Sequence, residues 1–184
     1  MRRTIHLGLG LLAFMVAAFT VASPSSAHRK DSACALLTAQ EIENAFGVKP
    51  EPAIEHEEVA EKAPWKGETL RRCNWPLGKG GSAGNVYLNV GVTKTDEQRK
   101  ASLAQVDQMA DQFRARGWPV EKTVLGKVTC VVGTPPPAQK LASVILCFTE
   151  DKGRAVAVSP TLTTIKASAN TVKALAEKAL GRLP

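Results

Sequence analysis

The chain has 184 residues and a formal net charge of +7, with four Cys, three Trp, one Tyr and five Phe. This length is typical of one domain that buries a core, and the few aromatic residues predict a core built mainly from Val, Leu, Ile and Ala. No basic stripe with interleaved aromatic side chains occurs, which argues against a nucleic-acid-binding protein.

The first 27 residues have the features of a cleaved signal peptide. Arg2 and Arg3 precede an apolar run over Leu7–Val21. Small residues, which signal peptidase requires, end the segment at Ala27. The run has about 15 residues, whereas a membrane-spanning helix needs about 20. We therefore predict cleavage after Ala27, export to the periplasm or the medium, and a single domain over residues 28–184.

Neither a lipid anchor nor a transmembrane anchor is expected after processing. A lipid anchor on Cys34 would require small apolar residues directly before that cysteine and close to the apolar run. The sequence Asp31-Ser32-Ala33 occupies this position instead. Because the predicted signal contains two arginines and no acidic residue, its removal lowers the net charge from +7 to +5.

A first helix is predicted shortly after Cys34. Thr38 and Glu41 have the spacing of a capping box, in which both side chains accept hydrogen bonds from otherwise free backbone N–H groups. Gly47 is placed to end this helix in a left-handed conformation.

The segment after the first helix contains two prolines and several glutamates, which indicate an edge strand or an irregular, solvated stretch. A loop around Trp65 and a strand over 70–75 follow. The glycine-rich stretch 77–84 does not lead into a helix, as a phosphate-binding loop would, so we interpret it as a hairpin loop. A half-buried strand comes next, with apolar residues in strict alternation at Val86, Leu88, Val90 and Val92.

The clearest helix of the sequence begins at Thr95, which forms a second capping box with Gln98. Gly117 and Pro119 end it. Four apolar residues at helical spacing form a stripe along one side: Leu103, Val106, Ala110 and Phe113. We assign this stripe to core packing.

The second half of the chain contains one or two strands over 120–132, a strand over 141–149, and a strand over 155–158 after a hairpin turn. A closing helix carries Val172 and Leu175 on one side. The predicted order of elements is therefore α-βββ-α-βββ-α. We predict an α+β fold in which helices cover one face of an antiparallel sheet.

The four cysteines all lie in the predicted mature chain, and an even number in an exported protein indicates disulfides. Three connectivities are open. We favour Cys34–Cys73 and Cys130–Cys147, because each bond then stays within one half of the chain. A metal or redox site is not favoured, since no C-x-x-C motif occurs and the mature chain contains only two histidines.

Two motifs and one hairpin carry a resemblance to known proteins. The motifs are C-x-L-L-T-x-x-E-I-x-x-x-F-G over 34–47 and C-N-W over 73–75, and the hairpin is D-K-G-R-A-V-A-V over 151–158. They resemble small exported bacterial cell-envelope proteins of unknown function, several of which are actinobacterial lipoproteins. The resemblance implies export and the fold, and it transfers no catalytic residue. This chain differs in its missing lipobox at Cys34 and in its three consecutive prolines.

No catalytic constellation is evident in the sequence. A nucleophile needs a base within hydrogen-bond reach, but His28 lies at the predicted new N-terminus and His56 lies in the acidic segment. The glutamates between Glu51 and Glu68 offer no pair whose spacing selects an acid and a base. We therefore predict a non-enzymatic protein without catalytic residues, cofactor or metal.

Binding is the more natural interpretation, and three hypotheses stay open. The first is a binding or inhibitor module for an envelope protein, with Trp and Arg as typical interface anchors. The second is electrostatic binding to anionic envelope polymers or lipid headgroups, and the third is a small-molecule pocket between sheet and helices. The candidate interaction surface of the first hypothesis consists of Trp65, Lys66, Arg71, Arg72, Pro135, Pro136 and Pro137.

Overall fold

The computed structural model describes residues 32–139 and 142–184. The predicted signal peptide, residues 1–27, lies outside this part of the chain, and so does Leu141, the predicted start of a strand. The described residues form three α-helices: α1 (Ala39–Phe46), α2 (Asp96–Ala115) and α3 (Ala169–Gly181). They also form seven strands: β1 (Ile54–Val59), β2 (Thr69–Leu77), β3 (Gly84–Val92), β4 (Val120–Leu125), β5 (Val128–Gly133), β6 (Val144–Asp151) and β7 (Arg154–Leu162).

The seven strands form one antiparallel sheet in the order β1-β2-β3-β7-β6-β5-β4. Two meanders, β1–β3 and β4–β7, are joined where β3 pairs with β7. This pairing runs along the whole of β3, from Gly84 opposite Leu162 to Val92 opposite Arg154. The structure therefore confirms the predicted α+β fold with an antiparallel sheet.

The second half of the chain contains four strands, so the predicted order with three strands in each half is wrong by one element. The observed order is α-βββ-α-ββββ-α. Gly126 adopts a left-handed conformation with φ of 67°, which favours glycine and allows a tight reversal. The segment predicted as one or two strands consequently folds back on itself as β4 and β5, with Leu125 opposite Val128.

Helices cover both faces of the sheet, and the expectation that they cover one face is wrong. Residues of α1 and α3, including Ile42 and Val172, belong to the buried cluster on what we call the first face. Residues of α2, including Phe113, belong to a separate cluster on the opposite, second face. The physical reason lies in β5 and β6, where neighbouring residues such as Cys147 and Phe148 are both buried. Strands that are apolar on both sides require cover on both.

The two disulfides are Cys34–Cys73 and Cys130–Cys147, as predicted. The first connects β2 to a short 3₁₀ turn that precedes α1. The second joins two residues that are directly opposite each other on β5 and β6. Both bonds lie in the first-face core, to which Cys73, Cys130 and Cys147 belong and against which Cys34 packs.

Both predicted capping boxes are present. Thr38 and Glu41 exchange hydrogen bonds at the start of α1, and Thr95 and Gln98 do so at the start of α2. Gly47 ends α1 with φ of 69°, a left-handed conformation that glycine adopts without strain.

Candidate functional site

The second face of the sheet is covered only in part. The helix α2 packs mainly against β4 and β5, and no other described helix lies in the second-face core. An open groove of about 580 Å³ lies between α2 and the strands β1, β2, β3, β6 and β7. We call it the second-face groove.

One row of side chains crosses the second-face groove from strand to strand. Each member is paired in register with the next, and all of them line the groove. They share one face because residues directly opposite each other on paired strands place their side chains on the same side of the sheet. From β1 through β2, β3 and β7 to β6, the row consists of His56, Arg72, Asn89, Ala157 and Phe148.

The row changes from polar to apolar along its length. His56 and Arg72 on the outer strands are exposed, whereas Phe148 beneath α2 is buried. The helix contributes Val106 and Met109 to the apolar part of the groove. The groove therefore offers an apolar inner end and a polar rim.

The alanines of β7 create the space in the groove. Ala155 and Ala157 alternate with Val156 and Val158, which are fully buried on the first face. Large side chains therefore fill the first-face core, while the same strand presents small side chains to the second face. A larger residue at Ala157 would occupy the floor of the groove.

Arg72 is held at the rim by Asn89. Its Nε donates a hydrogen bond to Asn89 Oδ1 over 2.7 Å. Among the described residues no carboxylate lies within ion-pair distance of Arg72, and Asn89 is its one recorded partner. A guanidinium has five N–H donors in a rigid fork that suits carboxylate and phosphate oxygens. Arg72 therefore retains donors for an anionic group at the polar rim.

The loop that carries Trp65 also lines the groove. Trp65 Nε1 donates to the backbone oxygen of Val92 over 3.0 Å, and Gln98 Nε2 donates to the backbone oxygen of Pro64 over 3.1 Å. These bonds attach the loop to the end of β3 and to the first turn of α2. Trp65 is half-buried, so it is a wall of the groove rather than a freely presented anchor.

The predicted interaction surface comes together only in part, since Trp65, Arg71 and Arg72 all line the second-face groove. Arg71 pairs with Glu57 over 3.3 Å. It lies two residues before Cys73 in β2, on the side of the strand that faces the first-face core. Arg72 belongs to the second-face row. Neighbouring strand residues point to opposite sides of a sheet, so the two side chains start from opposite faces, although both border the second-face groove. Lys66 is exposed in the loop beside Trp65.

The proline loop lies at the other end of the sheet from Trp65. Trp65 bonds to Val92, which is opposite Arg154 at the start of β7. Pro135, Pro136 and Pro137 instead follow Gly133, at the end of β5 where Val144 begins β6. Within the loop Pro135 is buried and Pro136 is half-buried, while Pro137 is exposed.

One sequence pattern associated with catalysis does occur, at Gly80–Gly84. This stretch matches G-x-S-x-G, the nucleophile elbow, which places a serine on a strand-to-helix turn. Here it lies between β2 and β3 and leads into a strand. The one described histidine, His56, is opposite Arg72 in the sheet, five residues from the end of β2 at Leu77, roughly 17 Å along the strand. Ser82 therefore has neither the backbone setting nor the base of such a site.

The described residues contain no group of three or more His, Cys, Asp or Glu that could hold a metal ion. Within the same part of the chain, no helix is long and apolar enough to cross a membrane. Comparisons with protein-family models, with curated proteins and with solved structures returned no match.

Proposed function

We propose that the protein is an exported, non-enzymatic binding protein that holds a small amphipathic ligand in the second-face groove. The ligand has an apolar body and one anionic group. The observation that carries this proposal is the row from His56 to Phe148, which changes from a polar rim at Arg72 to an apolar floor at Ala157 within one groove.

The size and lining of the groove support a small ligand. Its volume of about 580 Å³ lies within the range of roughly 300–1,000 Å³ that small-molecule sites have. Such sites combine a mainly apolar lining with a few polar groups that orient the ligand. Here Val106, Met109 and Phe148 supply the apolar lining, and Arg72 with Asn89 supplies the orienting group.

Export is part of the proposal. Disulfides persist in oxidising compartments and are rare in the cytosol, and all four described cysteines are disulfide-bonded. The cationic start and apolar run of the first 27 residues point the same way.

The other two binding hypotheses stay predictions. For an envelope protein partner the expected surface is divided, because Trp65 and the proline loop lie at opposite ends of the sheet. Binding to an anionic polymer or lipid surface would depend on total charge and would weaken steeply with salt. It would not depend on the shape of the second-face groove.

Titration calorimetry with decanoate, a carboxylate with an apolar chain, tests the proposal. We expect one decanoate per protein, and at least tenfold weaker binding by Ala157→Phe, which fills the groove floor. Ala104→Phe is the matched control, because Ala104 is exposed on α2 and does not line the groove. Arg72→Gln should weaken decanoate binding about tenfold, the equivalent of about 1.4 kcal/mol, and leave binding of the neutral decanol unchanged.

Two results would contradict the proposal. One is equal decanoate binding by the Ala157→Phe and Ala104→Phe variants. The other is no binding of decanoate or decanol to the wild-type protein at millimolar concentration.

A further inference from the structure

A second hollow, of about 560 Å³, lies at the end of the sheet where β3 finishes and β7 begins. We call it the first-face hollow, because its strand residues Arg71, Val90 and Arg154 have the same parity as the residues of the first-face core. It is distinct from the second-face groove, although Arg71, Val90 and Gly91 border both.

Four cationic side chains from four separate segments line the first-face hollow. They come from β2, from the connection between β3 and α2, from the turn between β6 and β7, and from the start of β7: Arg71, Lys94, Lys152 and Arg154. One side-chain carboxylate, that of Glu68, lies among the described lining residues. It pairs with Lys94, whose Nζ lies 3.0 Å from Glu68 Oε2. The side chains that line the hollow therefore carry a net positive charge.

Of these four cations, Arg154 is the best placed to bind an anion. It is half-buried at the first position of β7, opposite Val92. Among the described residues its guanidinium has no recorded hydrogen-bond or ion-pair partner. Its nitrogens are not among the buried unpaired atoms of the described residues, so they face solvent and keep their donors available for an anion.

Lys152 occupies a position that suits other residues better. It has a positive φ of 48° in the turn between Asp151 and Arg154. Asn, Asp or Gly is preferred at such hairpin positions. Lys152 therefore adds positive charge to the hollow, although a left-handed backbone conformation is unfavourable for lysine.

We propose that the first-face hollow is a binding site for a small polyanion, a molecule that carries two or more phosphate or carboxylate groups. Arg154 binds one anionic group through its fork of N–H donors, and Lys152 supplies a point charge for a second. Arg71, which pairs with Glu57 over 3.3 Å, lines the hollow from β2. This site does not depend on the ligand of the second-face groove.

Titration calorimetry with pyrophosphate, citrate and inorganic phosphate at 150 mM NaCl tests the site. We expect one pyrophosphate or citrate per protein, and at least tenfold weaker binding of inorganic phosphate, which carries a single anionic group. Tighter binding of pyrophosphate identifies a phosphorylated ligand, and tighter binding of citrate identifies a polycarboxylate. Either result supports a polyanion site.

Matched variants distinguish a specific binding site from nonspecific attraction of anions by the positive charge of the protein. Arg154→Gln should weaken binding of the preferred probe at least tenfold. Lys152→Asn should weaken it severalfold while raising the melting temperature, because Asn suits the left-handed position. Lys49→Gln removes the same charge from an exposed residue outside the hollow and should change the affinity less than twofold.

Three outcomes would overturn the proposal. The first is that neither pyrophosphate nor citrate binds at 5 mM. The second is that Arg154→Gln and Lys49→Gln weaken binding equally, which is the behaviour of diffuse charge. The third is that inorganic phosphate binds as tightly as the two polyanions.

Discussion

Glu41 and Arg182 connect the first and the last helix through a two-point ion pair. The two guanidinium nitrogens of Arg182 each donate to a different oxygen of Glu41, both over 2.7 Å. The same carboxylate accepts from the backbone N–H of Thr38 as part of the capping box, and it pairs with Lys178 over 3.0 Å. The Glu41 side chain therefore caps the start of α1 and also pairs with residues at the end of α3.

This pair gives the fold a defined pH dependence. The hydrogen bonds from Arg182 first, and then those from Thr38 and Lys178, hold the pKa of Glu41 far below its usual value of 4.5. A lowered folded-state pKa contributes stability above the unfolded-state value, and that contribution is lost as the pH falls below it. We expect the free energy of unfolding to decrease between pH 5 and pH 3, and to decrease less in Glu41→Gln.

Urea denaturation at pH 7 and at pH 3.5 measures this difference. At pH 7, Glu41→Gln should be about 1–2 kcal/mol less stable than the wild type, since a charge-assisted hydrogen bond is weakened. The difference should be smaller at pH 3.5 and should shrink further as the pH falls toward the folded-state pKa of Glu41, which lies far below 4.5. Equal pH dependence in both would show that Glu41 titrates as an ordinary surface carboxylate.

A double-mutant cycle isolates the contact between the helices. We expect a coupling energy of about 1 kcal/mol or more between Glu41→Gln and Arg182→Gln, because the pair is bidentate. The control is the pair Lys173–Glu177, four residues apart within α3, with Nζ 2.8 Å from Oε2. A single pair of this type contributes about 0.3–0.5 kcal/mol. Equal coupling in the two cycles would contradict the special role of Arg182.

Gly133 is required by the second-face core. A Cβ at this position would lie 2.4 Å from Cδ2 of Phe113, far inside van der Waals contact. We expect Gly133→Ala to lower the free energy of unfolding by about 1–3 kcal/mol, the usual cost of overpacking. Gly181→Ala is the control, because a Cβ there has no atom within 4 Å. Thermal unfolding that shows equal stability for both variants would contradict this close approach.

The two disulfides should differ in their contribution to stability. They close loops with sequence separations of 39 and 17 residues. In the chain-entropy account, the longer loop contributes about 4 kcal/mol and the shorter about 3 kcal/mol. We expect the double Ala variant of Cys34 and Cys73 to unfold at lower urea than that of Cys130 and Cys147. The reverse order in urea denaturation would contradict the entropic account for this fold.

Features that depend on neighbouring residues could be predicted from the sequence. The capping boxes at Thr38 and Thr95 are such features, because the participating residues are three positions apart. The disulfide pairing also followed from position along the chain. The turn at Gly126 was harder to predict, since the flanking residues have strand character and one glycine decides whether the segment reverses.

The position of the helices and the groove could not be predicted, because both depend on pairing between distant strands. The sequence over 141–149 predicted a strand without showing which helix covers which face. The row from His56 to Phe148 crosses five strands, and no local pattern places these residues together. One signal was visible, the alternation of small and larger residues in Ala155–Val158. It indicates space on one face of β7.

The most direct test of the second-face groove is a backbone amide NMR titration of the wild-type protein with decanoate. The account predicts that the largest chemical-shift changes occur at Arg72, Asn89, Ala157 and Phe148, and that Met109 on α2 responds with them. Changes concentrated at Lys94, Lys152 and Arg154 would place decanoate in the first-face hollow and contradict the groove as its site. The absence of any saturable change would contradict the proposed binding of an amphipathic ligand.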